Sequence, residues 1–234
     1  MRVLVACEFS GIVREAFAAR GHDAWSCDLL PSEQPGNHYQ GDVLQLLNGC
    51  ICEYAPDGGG GNVPPEDVRW EPPVGCARHG YKHWDLMIAH PPCTYLTLAG
   101  LHWNYRIPGR KGKTEEALEF VRLLLDAPVP LIALENPVGC ISTNIRKPDQ
   151  KIQPWQFGHD ASKLTCLWLK GLPQLQHTKV LEPPALQTNG KSPRWSNQTP
   201  TGQNKLGPSA DRWKLRSVTY QGIAAAMAEQ WGNL

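Results

Sequence analysis

The chain has 234 residues, 41% of them hydrophobic and 19% charged, with a net charge of +1; this fits one α/β domain with a sizeable core and excludes a disordered or fibrous chain. No apolar run approaches the roughly 20 residues of a membrane helix, and "MRVLVAC" is too short for the apolar region of a signal peptide, so a monomeric cytoplasmic protein with no membrane contact is expected. The charge is uneven: residues 1–145 carry 11 Lys+Arg against 17 Asp+Glu, giving −6, and residues 146–234 carry 12 against 5, giving +7, so the basic C-terminal third suits a polyanion.

"RVLVAC" (2–7) is apolar and rich in β-branched residues, which predicts a buried strand. Ile12, Ala16, Phe17 and Ala19 then recur at helical spacing up to a closing glycine in "GIVREAFAARG" (11–21). "HDAWSCD" (22–28) reads as a second strand ending on an acid, and this βαβ opening implies a parallel sheet. "GDV" (41–43) places Asp42 at the start of a further strand. From Asn48 to His83 glycines and prolines exclude regular structure, so an inserted loop is predicted at about 48–83. "WDLMIA" (84–89) resumes as a strand, "KTEEALEFVRLLLDA" (113–127) is an amphipathic helix with Thr114 as its cap, and "VPLIALEN" (129–136) is another strand. A strand at "KLTCLWLKG" (163–171), a polar stretch over about 171–214 and a terminal helix at "TYQGIAAAMAEQW" (219–231) complete a single domain over 1–234.

Ligands of parallel sheets gather at the carboxyl ends of the strands, so residues there come first. The turn "CEFSGIVREAF" has Gly11 alone where a dinucleotide fingerprint needs three glycines, which disfavours NAD. A Ser-Gly turn opening a helix can still hold a carboxylate, and Asp28 can accept two ribose hydroxyls; together they suit an amino-acid nucleoside such as S-adenosylmethionine, against the plainer reading of an ordinary turn and a solvated acid. Asp42 is a second acid for an adenine amino group.

In "AHPPCTYLT" (89–97) two prolines fix φ twice and remove two donors, so the loop leaving the strand is stiff and aims Cys93. Arg106, Arg110, Lys111 and Lys113 follow closely and are expected to favour its thiolate. Cys7, Cys27 and Cys166, inside apolar runs, read as packing residues. Glu135 closes the strand "ALENP", where burial can raise a carboxyl for proton work, and Asn136 and Pro137 fix the turn beyond it.

"FSG", Asp28, "GDV", "HPPC", "ENP" and "TYQGIAAAMAEQW", in this order, resemble the DNA cytosine-5 methyltransferase family, in particular its small phage-type members. The resemblance implies a Rossmann-like class I S-adenosylmethionine-dependent methyltransferase fold, a mostly parallel sheet with helices on both faces. It also implies a DNA-modifying enzyme of the phage or bacterial host cytoplasm. Cys93, in the Pro92 loop, is then the nucleophile that adds to carbon 6 of cytosine, and Glu135 engages ring nitrogen 3, with Asn136 the second residue of that catalytic element. Phe9, Ser10, Gly11, Asp28, Leu29, Asp42 and Pro91 surround the cofactor. Lys163 and Thr165 stand where the family has a Gln-x-Arg-x-Arg strand, and both arginines are missing, which leaves substrate activation to Lys163 or other groups. DNA contacts fall to Arg106, Arg110, Lys111, Lys113 and the basic C-terminal third, with Trp195 and Trp213 available to stack on bases. Duplex cytosine would have to leave the stack.

Two other readings stay open, an amino-group methyltransferase acting on adenine or cytosine nitrogen and a non-catalytic module that holds S-adenosylmethionine or DNA. Free nucleotides are an alternative substrate, since Gly171 to Lys214 leaves 44 residues for target recognition. The insertion offers Cys50, Cys52, Cys76 and His79 as zinc ligands at non-standard spacing; His79, His83 and His90 otherwise read as surface or loop residues.

Overall fold

A computed structural model describes residues 1–47, 83–182 and 194–234. The expected insertion, with Cys50, Cys52, Cys76 and His79, lies outside the described residues except for His83, which is exposed. The elements run β1 (Arg2–Ala6), α1 (Ile12–Ala18), β2 (Asp23–Asp28), β3 (His38–Gln40), β4 (Leu86–Ala89), α2 (Leu98–Leu101), α3 (Arg110–Leu125), β5 (Leu131–Pro137), α4 (Ile141–Asn144), β6 (Gln150–Ile152), β7 (Thr165–Lys170), α5 (Arg212–Ser217) and α6 (Gln221–Trp231).

The strands form one sheet in the order β3-β2-β1-β4-β5-β7-β6. β3, β2, β1, β4 and β5 pair in parallel, and β7 is antiparallel to both β5 and β6. Alternation along each strand assigns its side chains to two cores. Leu4, Ala6, Met87, Ala89, Ile132 and Leu134 face Leu118, Val121 and Leu124 of α3. Val3, Val5, Leu86, Ile88 and Ala133 face Val13 and Phe17 of α1 and Ile223, Met227 and Trp231 of α6. Helices therefore cover both faces, and the central strands are apolar on both sides, as parallel strands must be.

From β1 the chain winds outward through β2 and β3, whereas from β4 it winds the other way through β5. The strands β1 and β4 are adjacent, so the direction reverses between them and opens a crevice at their carboxyl ends. The segments Cys7–Ser10 and His90–Cys93 leave the sheet there.

Two expectations are corrected. Helix α3 begins at Arg110 behind Gly109, and Thr114 is buried within it, its hydroxyl 3.2 Å from the Tyr95 carbonyl and 2.9 Å from the Asn104 amide; the residue ties the helix to the loop after Cys93. Asp42 starts no strand but caps a 3-10 turn at Val43–Leu46, accepting the Leu44 N–H at 3.0 Å. The short edge strands β3 and β6 were not foreseen, because three residues carry too little alternation to show. Among the described residues no helix is long and apolar enough to cross a membrane.

Candidate active site

The chain leaves β1 through Cys7, whose φ of 59° lies in the left-handed region that a side chain seldom adopts. The reversal turns Glu8 back under α1. Its carboxylate, 5% exposed, accepts the Val13 N–H at 2.7 Å, the Arg14 N–H at 3.1 Å and the Ser10 hydroxyl at 3.3 Å. The carboxylate held by the first amides of α1 is thus the chain's own. Gly11 has φ +73, and a Cβ there would come within 2.8 Å of Arg14 and Gln34, so the tight turn requires glycine.

Arg14 is fully buried and links α1 to the segment beyond β2. Its guanidinium donates to the Ser26 and Ser32 hydroxyls, both at 3.1 Å, and to the Gln34 and Pro35 carbonyls at 3.1 and 2.7 Å. This clamp orders the loop that carries Asp28, whose carboxylate accepts the Leu30 N–H at 2.9 Å. Burial raises the Asp28 carboxyl above its ordinary value. Burial also pushes the Cys7 thiol up, as do the charges of Asp28 and Asp42, which places both acids near the exit of β1. Leu29 is 73% exposed.

One cavity opens at the crevice, lined from β1 by Cys7, Glu8, Phe9 and Ser10, from β4 by His90, Pro91, Pro92 and Cys93, and from β5 by Glu135, Asn136 and Pro137. Lys163 and the segment Arg216–Thr219 close it. The fold therefore brings together Phe9, Ser10, Pro91, Pro92, Cys93, Glu135, Asn136 and Lys163; Gly11, Asp28, Leu29 and Asp42 do not line this cavity.

Asn136 is 1% exposed and donates from Nδ2 to the Pro91 carbonyl at 2.8 Å, which joins the end of β5 to the proline loop. The loop's far end is held by the Cys140 N–H on the Leu96 carbonyl at 2.8 Å, and by Arg110, which reaches the Thr94 carbonyl at 3.2 Å and lies over the Tyr95 ring. Cys93 is thus fixed from both sides.

Its thiol does not behave as the sequence led us to expect. Burial raises the Cys93 thiol above its ordinary value and the Glu135 charge raises it further, against the opposing pull of Lys163 and Arg216. The cations that favour its thiolate are these two, not the 106–113 group. Of that group Arg110 braces the loop, Lys111 and Lys113 pair with Glu115 and Glu116 on α3, and Arg106 lies over Trp103.

Glu135 sits between two elements. On one side His90 Nδ1 lies 3.2 Å from Glu135 Oε2, with the two side chains 9% and 13% exposed. On the other stand Lys163 and Thr165. Burial alone would raise this carboxyl, but the His90 hydrogen bond, the Lys163 charge and the Thr165 hydroxyl outweigh it and leave it below its ordinary value. The expected rise is therefore reversed. The Lys163 ammonium reaches the Val218 carbonyl at 3.4 Å, which draws the 216–219 segment over the cavity.

No family model and no curated protein matches this chain. A solved structure from E. coli, described provisionally as a DNA modification methyltransferase encoded within a prophage, is similar at a TM-score of 0.45 and 15% identity, over 80% of this chain and 53% of that one. The chain spans about half the length of that structure, and a likeness at this level assigns no chemistry to it.

Sequence reasoning missed Glu8, Arg14, His90 and Arg216. Glu8 meets amides five and six residues ahead, outside the usual cap spacing. His90 read as a loop residue because its partner is 45 positions away. Trp195 was expected to be free to stack on bases, but its ring is stacked on Trp155 with centroids 5.7 Å apart. Trp213, 54% exposed, stands at the rim 6.1 Å from Phe9, with the Lys214 ammonium 5.8 Å from both rings.

Proposed function

We propose that the protein is a DNA cytosine-5 methyltransferase that uses S-adenosylmethionine and a covalent Cys93 adduct. The observation that carries this reading is the convergence of Cys93 and Glu135, from the ends of neighbouring strands, in one cavity beside the turn after β1. The residue order of the family resemblance and the helix-covered, mostly parallel sheet support it.

The residues at the β1 and β2 ends fit the proposed cofactor. Asp28, held in orientation by the Leu30 N–H, accepts ribose hydroxyls, Asp42 faces the adenine amino group, and Phe9, Ser10, Gly11, Leu29 and Pro91 surround the nucleoside. The amides of α1 serve Glu8 instead, so the amino-acid end is left to the polar groups of the cavity rim. Bound there, S-adenosylmethionine supplies an electrophilic methyl group.

Cys93 loses its proton, and its sulfur adds to carbon 6 of a cytosine turned out of the stack. The proton given up by Cys93 passes through solvent to ring nitrogen 3, and the ionised Glu135 carboxylate pairs with that N–H while carbon 5 becomes nucleophilic. After carbon 5 is methylated it gives up its hydrogen as a proton to a water in the cavity, the carbon 6–sulfur bond breaks with its electron pair returning to Cys93, and the proton of ring nitrogen 3 goes back to restore the thiol. Asn136 and Pro92 keep the nucleophile loop in register, and Lys163 with Arg216 favours the thiolate in place of the two absent arginines. Arg212, Lys214 and Arg216 on α5, with Arg106, Arg110, Lys111 and Lys113, meet the phosphates.

DNA carrying 5-fluorocytosine tests the reading. With S-adenosylmethionine present the protein is expected to form a denaturant-resistant adduct that disappears in Cys93→Ser. A protein that binds both partners, forms no adduct and leaves cytosine unmethylated would overturn it.

A further inference from the structure

Among the described residues the His90 ring has one polar contact. Its Nδ1 meets Glu135 Oε2 at 3.2 Å, whereas Nε2 is shut away from solvent and meets no hydrogen-bonding group among the described residues. Sealing an imidazole nitrogen without a partner is unfavourable by about 1–3 kcal/mol, and a small apolar residue at position 90 would avoid it. Among the described residues the Glu135 contact is the only polar interaction of this side chain to offset it. Both side chains are nearly enclosed, so the contact is shielded from water and from salt. The two residues come from adjacent parallel strands, with Ala89 beside Leu134 in register, so the pair is fixed by the sheet itself.

The charge around the pair also calls for a donor. Besides His90, the titratable and charged groups of the cavity are Cys7, Glu8, Cys93, Glu135, Lys163 and Arg216. Burial works against ionised Glu135, and the groups that resist it come from two directions: Lys163 and Thr165 beside β7, and His90 from β4. The segment 163–170 offers Glu135 one lysine and one hydroxyl and contains no arginine.

We infer that His90 is the positioning residue for Glu135, binding one carboxyl oxygen so that the other is presented to the substrate ring. This rests on the reading of Cys93 and Glu135 given above. His90 touches no reacting atom; it acts through the carboxylate, and it does so from the nucleophile loop, so that the sulfur and the acid are set by one backbone segment.

The test compares His90→Asn, whose amide can stand where Nδ1 does and donate to Glu135, with His90→Leu, which cannot. Carbon-13 NMR of the Glu135 carboxyl, on the protein without DNA, is expected to show its titration moved to higher pH in His90→Leu and returned toward wild type in His90→Asn. Single-turnover methylation of cytosine DNA is expected to slow by about 30-fold in His90→Leu, the loss of one hydrogen bond to a charged group. The KM for S-adenosylmethionine should stay within about twofold, and His90→Asn should recover most of the rate. The acid limb of the pH profile should move with the Glu135 titration. A Glu135 titration unchanged in His90→Leu would overturn the inference, as would a His90→Asn variant as slow as His90→Leu. If the wild-type protein methylates nothing, the reading of the site fails by itself, and the NMR comparison still decides whether His90 governs Glu135.

Discussion

Replacing Glu8 by alanine would remove the only acceptor that the Val13 and Arg14 amides have among the described residues. The carboxylate is 5% exposed, and its two backbone contacts are 2.7 and 3.1 Å. A stranded buried donor costs roughly 1–3 kcal/mol, and loss of a helix cap roughly 0.5–2 kcal/mol. Because the two amides belong to one helix end, these ranges overlap rather than add, and about 3 kcal/mol is expected. In a chain of this length each kcal/mol moves the midpoint by about 2–4 °C, so Glu8→Ala should melt roughly 6–12 °C below wild type. Glu8→Gln keeps one oxygen for the shorter contact and should lose about a third of that. Differential scanning calorimetry with urea titration at neutral pH measures both. A Glu8→Ala midpoint within about 1 °C of wild type, with the same cooperativity, would refute the claim that this carboxylate supports α1.

Alkylation of Cys93 by iodoacetamide at pH 8 should be slower than that of an exposed cysteine, because burial and Glu135 raise its thiol. Lys163→Met and Arg216→Met, which remove the opposing charges, should each slow it roughly two- to fivefold further, as followed by peptide mass spectrometry; faster labelling in either would contradict the electrostatics. Glu135 titrates below its ordinary value of 4.5 in the folded chain, so its contribution to stability is present above that pH and is lost as pH falls through the depressed value. Urea midpoints should therefore fall more steeply below pH 4.5 in wild type than in Glu135→Gln, and parallel curves would sink this assignment. A Cβ at Gly139 would lie 1.9 Å from the Leu96 carbonyl oxygen, so Gly139→Ala must displace the end of the nucleophile loop. Adduct formation on 5-fluorocytosine DNA should drop by about 100-fold while circular dichroism stays native; a normal rate would show that the loop is not held there.

Much of the frame is legible in the chain itself. The apolar runs at β1, β4 and β5 and the helical periodicity of α1, α3 and α6 are strong because each of those elements must bury a face against the sheet. The two prolines before Cys93 and the acid at the end of β5 are equally plain, since stiffness and chain position are local properties. Cys27 and Cys166 pack as their apolar neighbours suggest, whereas Cys7 sits one residue beyond its strand and lines the cavity. Edge strands of three residues leave too short a pattern to detect.

Charge state was decided only by the tertiary structure. From the sequence, Cys93 was expected to be ionised by neighbouring cations and Glu135 to be protonated by burial, and both shifts run the other way. A pKa depends on which groups face one another across a few ångströms, and here those groups arrive from positions 90, 163 and 216, on three separate segments of chain. The sequence determined where a thiol and a carboxyl would leave the sheet. Folding determined what surrounds each, because long-range contacts set the local dielectric and field, and no local pattern records them.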